Sequence, residues 1–167
     1  ANYWNQVIIL NNHQRERFAK NILKSLYNTV AGKKICFLGW AFKKDTNDTR
    51  ESAAIYVTDL LLEEMAKINV YDPKVSAKQI YNDLDSLNSR EYSLNRQMLN
   101  VSEDPYEACK KSHAIAILTE WDEFREYDWV RIYDNMNKPA FIFDGRNILE
   151  RKNTVSYTHL TLPTKLS

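Results

Sequence analysis

A doubly wound α/β domain, a parallel sheet with helices on both faces, is the architecture this 167-residue sequence predicts. Three observations predict it. Short, β-rich apolar runs (ICFLG, INVYD, AIAIL and AFIFD) alternate along the chain with segments of helical period. AIAIL in particular is continuously apolar, as a strand buried on both faces must be. Two of the runs close on residues that end a ladder, Gly39 and the pair Asp72-Pro73.

In chain order, the segment from Tyr3 to about Tyr27 lacks Gly and Pro, and Val7, Ile8, Phe18, Ile22, Leu23 and Leu26 fall near helical spacing. As a helix it would run about 37 Å, longer than a compact domain requires. It is read as a connecting helix from a chain cut out of something larger, or else as a long N-terminal helix. ICFLG follows as the first strand. Asp48 and Glu51 then have the spacing of a capping box. Ala54, Val57, Leu61 and Met65 form the stripe expected to be buried in a helix ending near Lys67. INVYD is the second strand, the polar stretch from about Asp83 to Arg96 reads as loop, and MLNVS as a short strand. Pro105 favours a helix start running to Lys111, before the strand AIAIL (Ala114 to Leu118). A helix over Asp128 to about Asn135 and the strand AFIFD (Ala140 to Asp144) complete the rhythm. Three parts result: residues 1–30 as connecting helix, 31–150 as the α/β domain, and 151–167 as a tail. The tail, containing VSYTHLTLPTKLS, is expected to be non-native or disordered, although its alternation could form an edge strand.

Composition narrows the function. Hydrophobic residues at 44% and charged residues at 27% describe a globular chain. A net charge of +1 removes the usual electrostatic argument for nucleic acid or a membrane surface. No apolar run is long enough to span a bilayer. The start of the sequence has no secretory-type leader, and with two distant cysteines the chain reads as a reduced, cytoplasmic protein. Three glycines, Gly32, Gly39 and Gly145, leave no room for GxGxxG.

In an open parallel sheet, ligands bind beyond the carboxyl ends of the strands. The residues there are Gly39 to Arg50, Asp72 to Lys74, Thr119 to Asp122 and Asp144 to Arg146. FKKDTNDTRES places Lys43, Lys44 and Arg50 between a strand and a helix N-terminus, where orphan N–H groups already favour an anion. Arg146 of FDGR can reach the same edge with a bidentate fork. A phosphate or pyrophosphate site is one reading. A self-neutralising solvated loop is the other, since Asp45, Asp48 and Glu51 interleave with the three bases.

Other chemistry is weaker. Cys109 and His113 are i and i+4, but no orienting acid is suitably spaced, so a structural Cys and a satisfied His are the simpler reading. His13, His113, His159, Cys36 and Cys109 lack metal-ligand spacing. Asp72 stands where a dinucleotide fold holds a ribose hydroxyl, although without the glycine fingerprint a strand-end turn is the commoner role. Asp72, Thr119 and Asp144 also invite a phosphoreceiver reading, but the acidic pair and the lysine it needs are absent.

At FLGWAFKKDTNDTRES the sequence resembles the UDP-binding C-terminal domain of the UDP-glucose/GDP-mannose dehydrogenase family. The resemblance continues through VYDPKV, DPYEAC, AIAILTEWDEF and KPAFIFDGRNIL, and YWNQVIILNNHQRERFA is similar to the end of that family's long central helix. TEWDEF and FIFDGR look more like the animal enzymes than the mannose branch. The resemblance implies a Rossmann-like doubly wound fold and a two-step oxidation of UDP-glucose to UDP-glucuronate with NAD. It also implies a homo-oligomer, dimer or hexamer. By motif position, Phe42, Lys43 and Arg146 match substrate contacts and Arg50 matches an NAD contact from the closing domain. The family's glycine fingerprint and catalytic Cys motif have no counterpart here. No catalytic residue and no metal site are therefore expected in this chain, which would be inactive alone. The alternatives are a stand-alone nucleotide-binding or assembly module, or a dehydrogenase for another nucleotide sugar.

Overall fold

Ile35, Cys36, Phe37 and Leu38 are fully buried, and their strand is the centre on which the sheet is built. The computed structural model describes the backbone of residues 2–149 and 160–161 and the side chains of residues 12–149. The elements run α1 (Asn2–Ser25), β1 (Lys34–Leu38), α2 (Ala53–Glu63), β2 (Lys67–Tyr71), α3 (Ala77–Asp85) and α4 (Tyr92–Met98). They continue as β3 (Leu99–Val101), α5 (Pro105–Cys109), β4 (Ala114–Ile117), a 3-10 turn (Asp122–Glu126), α6 (Trp129–Asp134), β5 (Phe141–Asp144) and β6 (Leu160–Thr161).

The strands form one sheet in the order β3-β2-β1-β4-β5-β6, with every pairing parallel. Right-handed crossovers place the helices that join β1, β2 and β3 on one face and those that lead to β4 and β5 on the other. The doubly wound prediction therefore holds. Helix α1 packs beside α2, burying Phe18, Ile22 and Leu26, and Phe18 meets Phe143 edge to face with ring centroids 6.5 Å apart. The side chains of Tyr3, Trp4, Val7 and Ile8 lie outside the described residues. So does the tail, except for the two residues of β6, which form a parallel edge strand on β5.

The structure corrects three local expectations. The Asp48/Glu51 capping box does not form: α2 begins at Ala53, and Ser52 is its N-cap, accepting from the Ala54 amide at 3.3 Å. Met65 is exposed rather than part of the buried stripe, because α2 has ended at Glu63 and Met65 takes a left-handed turn conformation (φ 66°). The stretch Asp83 to Arg96 is not a loop. It holds the end of α3, where Leu84 and Asp85 are buried, and most of α4, whose buried residue is Asn95. Asp85 accepts from Asn95 Nδ2 at 2.8 Å and from both terminal nitrogens of Arg96 at 2.8 and 2.7 Å, so this contact between the two helices carries no apolar period. Those bonds hold the Asp85 carboxyl below its ordinary range, the Arg96 hydrogen bonds being the largest cause.

Ser52 also donates from Oγ to the Trp40 carbonyl at 2.7 Å and is buried. Removing its hydroxyl strands a helix N–H and a buried C=O together. Ser52→Ala is therefore expected to lower stability by about 1–2 kcal/mol, read as a shift of the urea midpoint at unchanged m-value.

Candidate functional site

Strand order reverses between β1 and β4, so the crevice of this sheet is flanked by the loop after β1 and the loop after β4. The first wall starts at Gly39, whose φ of +98° is the left-handed side of the map. A Cβ at Gly39 would stand 2.5 Å from Thr119 Cβ and Oγ1, so the two walls touch here through the bare glycine backbone.

From there every backbone polar group of Trp40, Ala41 and Phe42 has a partner. The Trp40 and Ala41 amides donate to Asp72 Oδ2 at 2.7 and 3.0 Å. Their carbonyls accept from Ser52 Oγ and Thr119 Oγ1, each at 2.7 Å. The Phe42 amide donates to the Asp48 carbonyl at 2.8 Å, and the Phe42 carbonyl accepts from an Arg146 guanidinium nitrogen at 3.2 Å. The loop is thus a fixed platform whose backbone groups are held mainly by side chains. Its far end is tied to α1, where Arg15 donates to the Glu51 carbonyl at 2.8 Å and lies over the Tyr56 ring.

The cations fall into two kinds. Lys44 donates its amide to Glu120 Oε1 at 3.0 Å, and its ammonium pairs with Asp122 at 3.4 Å. Arg146 Nε donates to the Leu118 carbonyl at 3.0 Å and lies 3.4 Å from Glu120 Oε2. Arg50, with its side chain 88% exposed, pairs with Asp48 at 2.8 Å. Lys43 is exposed and has no ion-pair partner among the described residues. Of the three loop bases, only Arg50 pairs with a loop acid as the self-neutralising reading requires; Lys44 pairs with Asp122 after β4, and Lys43 has no ion-pair partner among the described residues. The structure joins Phe42 to Arg146 directly, with Lys43 next in sequence. Arg50 pairs with Asp48, whose carbonyl accepts the Phe42 amide, and makes no bond to Arg146 among the described residues. The helix-terminus contribution is smaller than the sequence suggests, because Ser52 already occupies a first-turn amide of α2.

Hydrogen bonds from the Arg50 guanidinium, then from the Arg50 backbone amide, pull the Asp48 carboxyl down to about 2, with the Arg50 charge adding to them. With a depressed folded value, the pair persists above the ordinary carboxylate range and is lost as pH falls toward 2. A carboxyl NMR titration is expected to place the Asp48 midpoint near 2 at low salt. The midpoint should return toward 3.8 in Arg50→Ala or at high salt, which screens so exposed a pair.

The remaining candidates resolve into structure. Cys36 and Cys109 are buried free thiols with sulfurs 3.6 Å apart, and burial pushes the Cys36 thiol up. His113 lies beyond the end of α5, and its Nδ1 accepts the Lys34 amide at 3.1 Å. Burial lowers His113, keeping it neutral near pH 7. Asp144 accepts from the Arg146 and Leu149 amides at 3.1 and 2.8 Å, so it is a turn residue. Among the described residues no cluster of three or more His, Cys, Asp or Glu could hold a metal ion. None of the helices there is long and apolar enough to cross a membrane. Glu120, which spans the Lys44 amide and Arg146, has no role in the sequence-based expectations. Its only signal there is its place one residue past Thr119 in the β4 loop.

Residues 36–151 match the UDP-glucose/GDP-mannose dehydrogenase family, UDP binding domain. The chain belongs to this family. It is 53% identical over 150 residues to UDP-glucose 6-dehydrogenase of Gallus gallus, covering 90% of this chain and 30% of that protein. It is 52% identical over 152 residues to the enzyme of the same name from Caenorhabditis elegans, covering 91% of this chain and 31% of that protein. UDP-glucose 6-dehydrogenase 1 of Arabidopsis thaliana is 47% identical over 160 residues, with 90% and 33% covered. The chain thus spans about a third of the length of the curated relatives it matches. Among solved structures, a UDP-glucose dehydrogenase from Pyrobaculum islandicum aligns with TM-score 0.66 at 22% identity, covering 96% of this chain and 31% of that one. An NDP-N-acetyl-D-galactosaminuronic acid dehydrogenase from Methanosarcina mazei Go1 aligns with TM-score 0.68 at 22% identity, covering 90% and 28%. At that identity the solved structures speak for the fold alone. Phe42, Lys43, Arg50 and Arg146 all lie within the part matched to the UDP-glucose/GDP-mannose dehydrogenase family.

Proposed function

We propose that this chain is the UDP-sugar-binding part of a UDP-glucose 6-dehydrogenase, an enzyme that oxidises UDP-glucose to UDP-glucuronate in two NAD-dependent steps. One observation carries the assignment of the site. At the strand-order reversal, Arg146 and Phe42 are joined by a 3.2 Å hydrogen bond, beside the exposed, unpaired Lys43. A diphosphate needs cations held on a rigid frame, and the fully bonded backbone of residues 40–42 supplies the frame. Lys43 brings an ammonium with no ion-pair partner among the described residues, Arg146 a guanidinium fixed by two carbonyls, and the 46%-exposed ring of Phe42 a face for a base or sugar.

The described residues do not build a dinucleotide cradle. The glycine after β1 has Thr119 against its Cβ position instead of space for a phosphate. Arg50, exposed and on the same loop, fits a single contact to NAD, and no catalytic step is derived for it. Cys36 and Cys109 do not suit a nucleophile, since both are buried and Cys36 is held in its thiol form. Under this assignment residues 1–30 end a central helix, residues 31–150 form the sugar-nucleotide domain, and catalytic groups lie elsewhere in the parent enzyme. A cytoplasmic homo-oligomer, dimer or hexamer, belongs to the same proposal.

The test is NADH formation at 340 nm by the full-length protein that carries this chain. UDP-glucose should support two NADH per sugar, and UDP-N-acetylmannosamine and GDP-mannose should be poor substrates. Preference for either of the latter would replace the assigned sugar, and no turnover with any would leave a nucleotide-binding module.

A further inference from the structure

Asp72 follows β2 directly, where a dinucleotide fold presents an acid to a ribose hydroxyl, yet here its carboxylate is saturated by the protein itself. Oδ2 accepts from the Trp40 amide at 2.7 Å, the Ala41 amide at 3.0 Å and the Trp121 indole N–H at 3.1 Å. Oδ1 accepts from the Lys74 and Val75 amides at 2.8 and 3.0 Å. A carboxylate offers about four lone-pair sites, so five N–H donors leave none for a ligand. Asp72 is 9% exposed, and among the described residues no Lys, Arg or His stands within ion-pair distance of it. Its charge is held by amide and indole dipoles alone, each a charge-assisted bond.

The donors come from three directions. Trp40 and Ala41 belong to the loop after β1 and immediately precede Phe42 and Lys43. Trp121 belongs to the loop after β4, one residue past Glu120, which grips Arg146 and the Lys44 amide. Lys74 and Val75 form the carboxylate's own turn. One buried anion therefore fastens both walls of the crevice to the end of β2. We infer that Asp72 is a positioning residue for the nucleotide: it touches no ligand, but sets the spacing between the Phe42–Lys43 segment and Glu120–Arg146 on which diphosphate binding depends. This inference rests on the assignment of that crevice to UDP-sugar binding.

The distinguishing test is calorimetric titration of UDP into the full-length protein and its Asp72→Asn and Trp121→Phe variants, with steady-state kinetics on the same preparations. Asp72→Asn keeps the shape but replaces one accepting oxygen with an amide NH2, a donor. Trp121→Phe keeps a ring and removes a single donor. The expected results are a UDP Kd raised tenfold or more in Asp72→Asn and threefold or more in Trp121→Phe, with KM for UDP-glucose rising in parallel and kcat changing less. A merely structural role would instead reduce the active fraction, lowering kcat and leaving Kd unchanged. If Asp72→Asn does not fold, Trp121→Phe decides. Wild-type binding with Kd unchanged within twofold in the folded variants overturns the positioning role alone. Absence of UDP binding by the wild type overturns both it and the assignment beneath it.

Discussion

Arg146→Ala is expected to raise the KM for UDP-glucose by roughly 10- to 150-fold, because a hydrogen bond to a charged group is worth about 1.5–3 kcal/mol. Lys43→Ala should fall in the same range, by a different route. Lys43 forms no ion pair among the described residues and acts on the loop only through its charge near Asp48, so its loss removes mainly charge offered to a ligand. Arg146 also supplies donors to the carbonyls of Phe42 and Leu118, so its loss loosens the platform as well. Arg146→Lys separates the two contributions. It restores the charge without the planar fork that spans both carbonyls, and should recover only part of the affinity. Initial-rate kinetics of the full-length enzyme against UDP-glucose check all three. Unchanged KM in both alanine variants would remove these residues from the site.

Gly39→Ala is the second large effect, and it acts on the fold. The new Cβ would lie 2.5 Å from Thr119 Cβ and 2.7 Å from the Thr119 backbone nitrogen, at a φ of +98° that side chains disfavour. The clash is with backbone as well as side chain, so no rotamer change relieves it. Overpacking and left-handed strain together should cost about 3–5 kcal/mol. The expected measurement is a loss of that size in denaturant titration, or no soluble protein at all. An alanine variant as stable as wild type would mean that the two walls are not in contact.

The fold was legible where burial is two-sided. ICFLG, AIAIL and AFIFD are apolar because β1, β4 and β5 have helices on both faces, and no other element type suits runs so short. It was illegible where burial is polar. Ile80 and Leu84 give α3 an apolar face, but α4 is joined to it through Asp85, Asn95 and the exposed Arg96, and a hydrophobic period cannot report a contact made by hydrogen bonds. The site was half legible in the same sense. Lys43 and Arg146 stand out as cations at strand ends, but the groups that hold them in place do not. Asp72, Thr119 and Ser52 hold the β1 loop through bonds to its backbone from other parts of the chain, and no local spacing announces a bond between residues 32 or 78 positions apart. The expected Asp48/Glu51 capping box failed for a related reason, since Asp48 is committed to Arg50 and the Phe42 amide to the Asp48 carbonyl.

The most direct test of the central claim, that the crevice between the β1 and β4 loops takes the UDP moiety, is hydrogen exchange of the full-length protein with and without saturating UDP. Protection is expected to rise over residues 42–50, 119–122 and 145–149, while the fully bonded amides of Trp40 and Ala41 are already slow without ligand. Protection that rises elsewhere and leaves those three segments unchanged would contradict it.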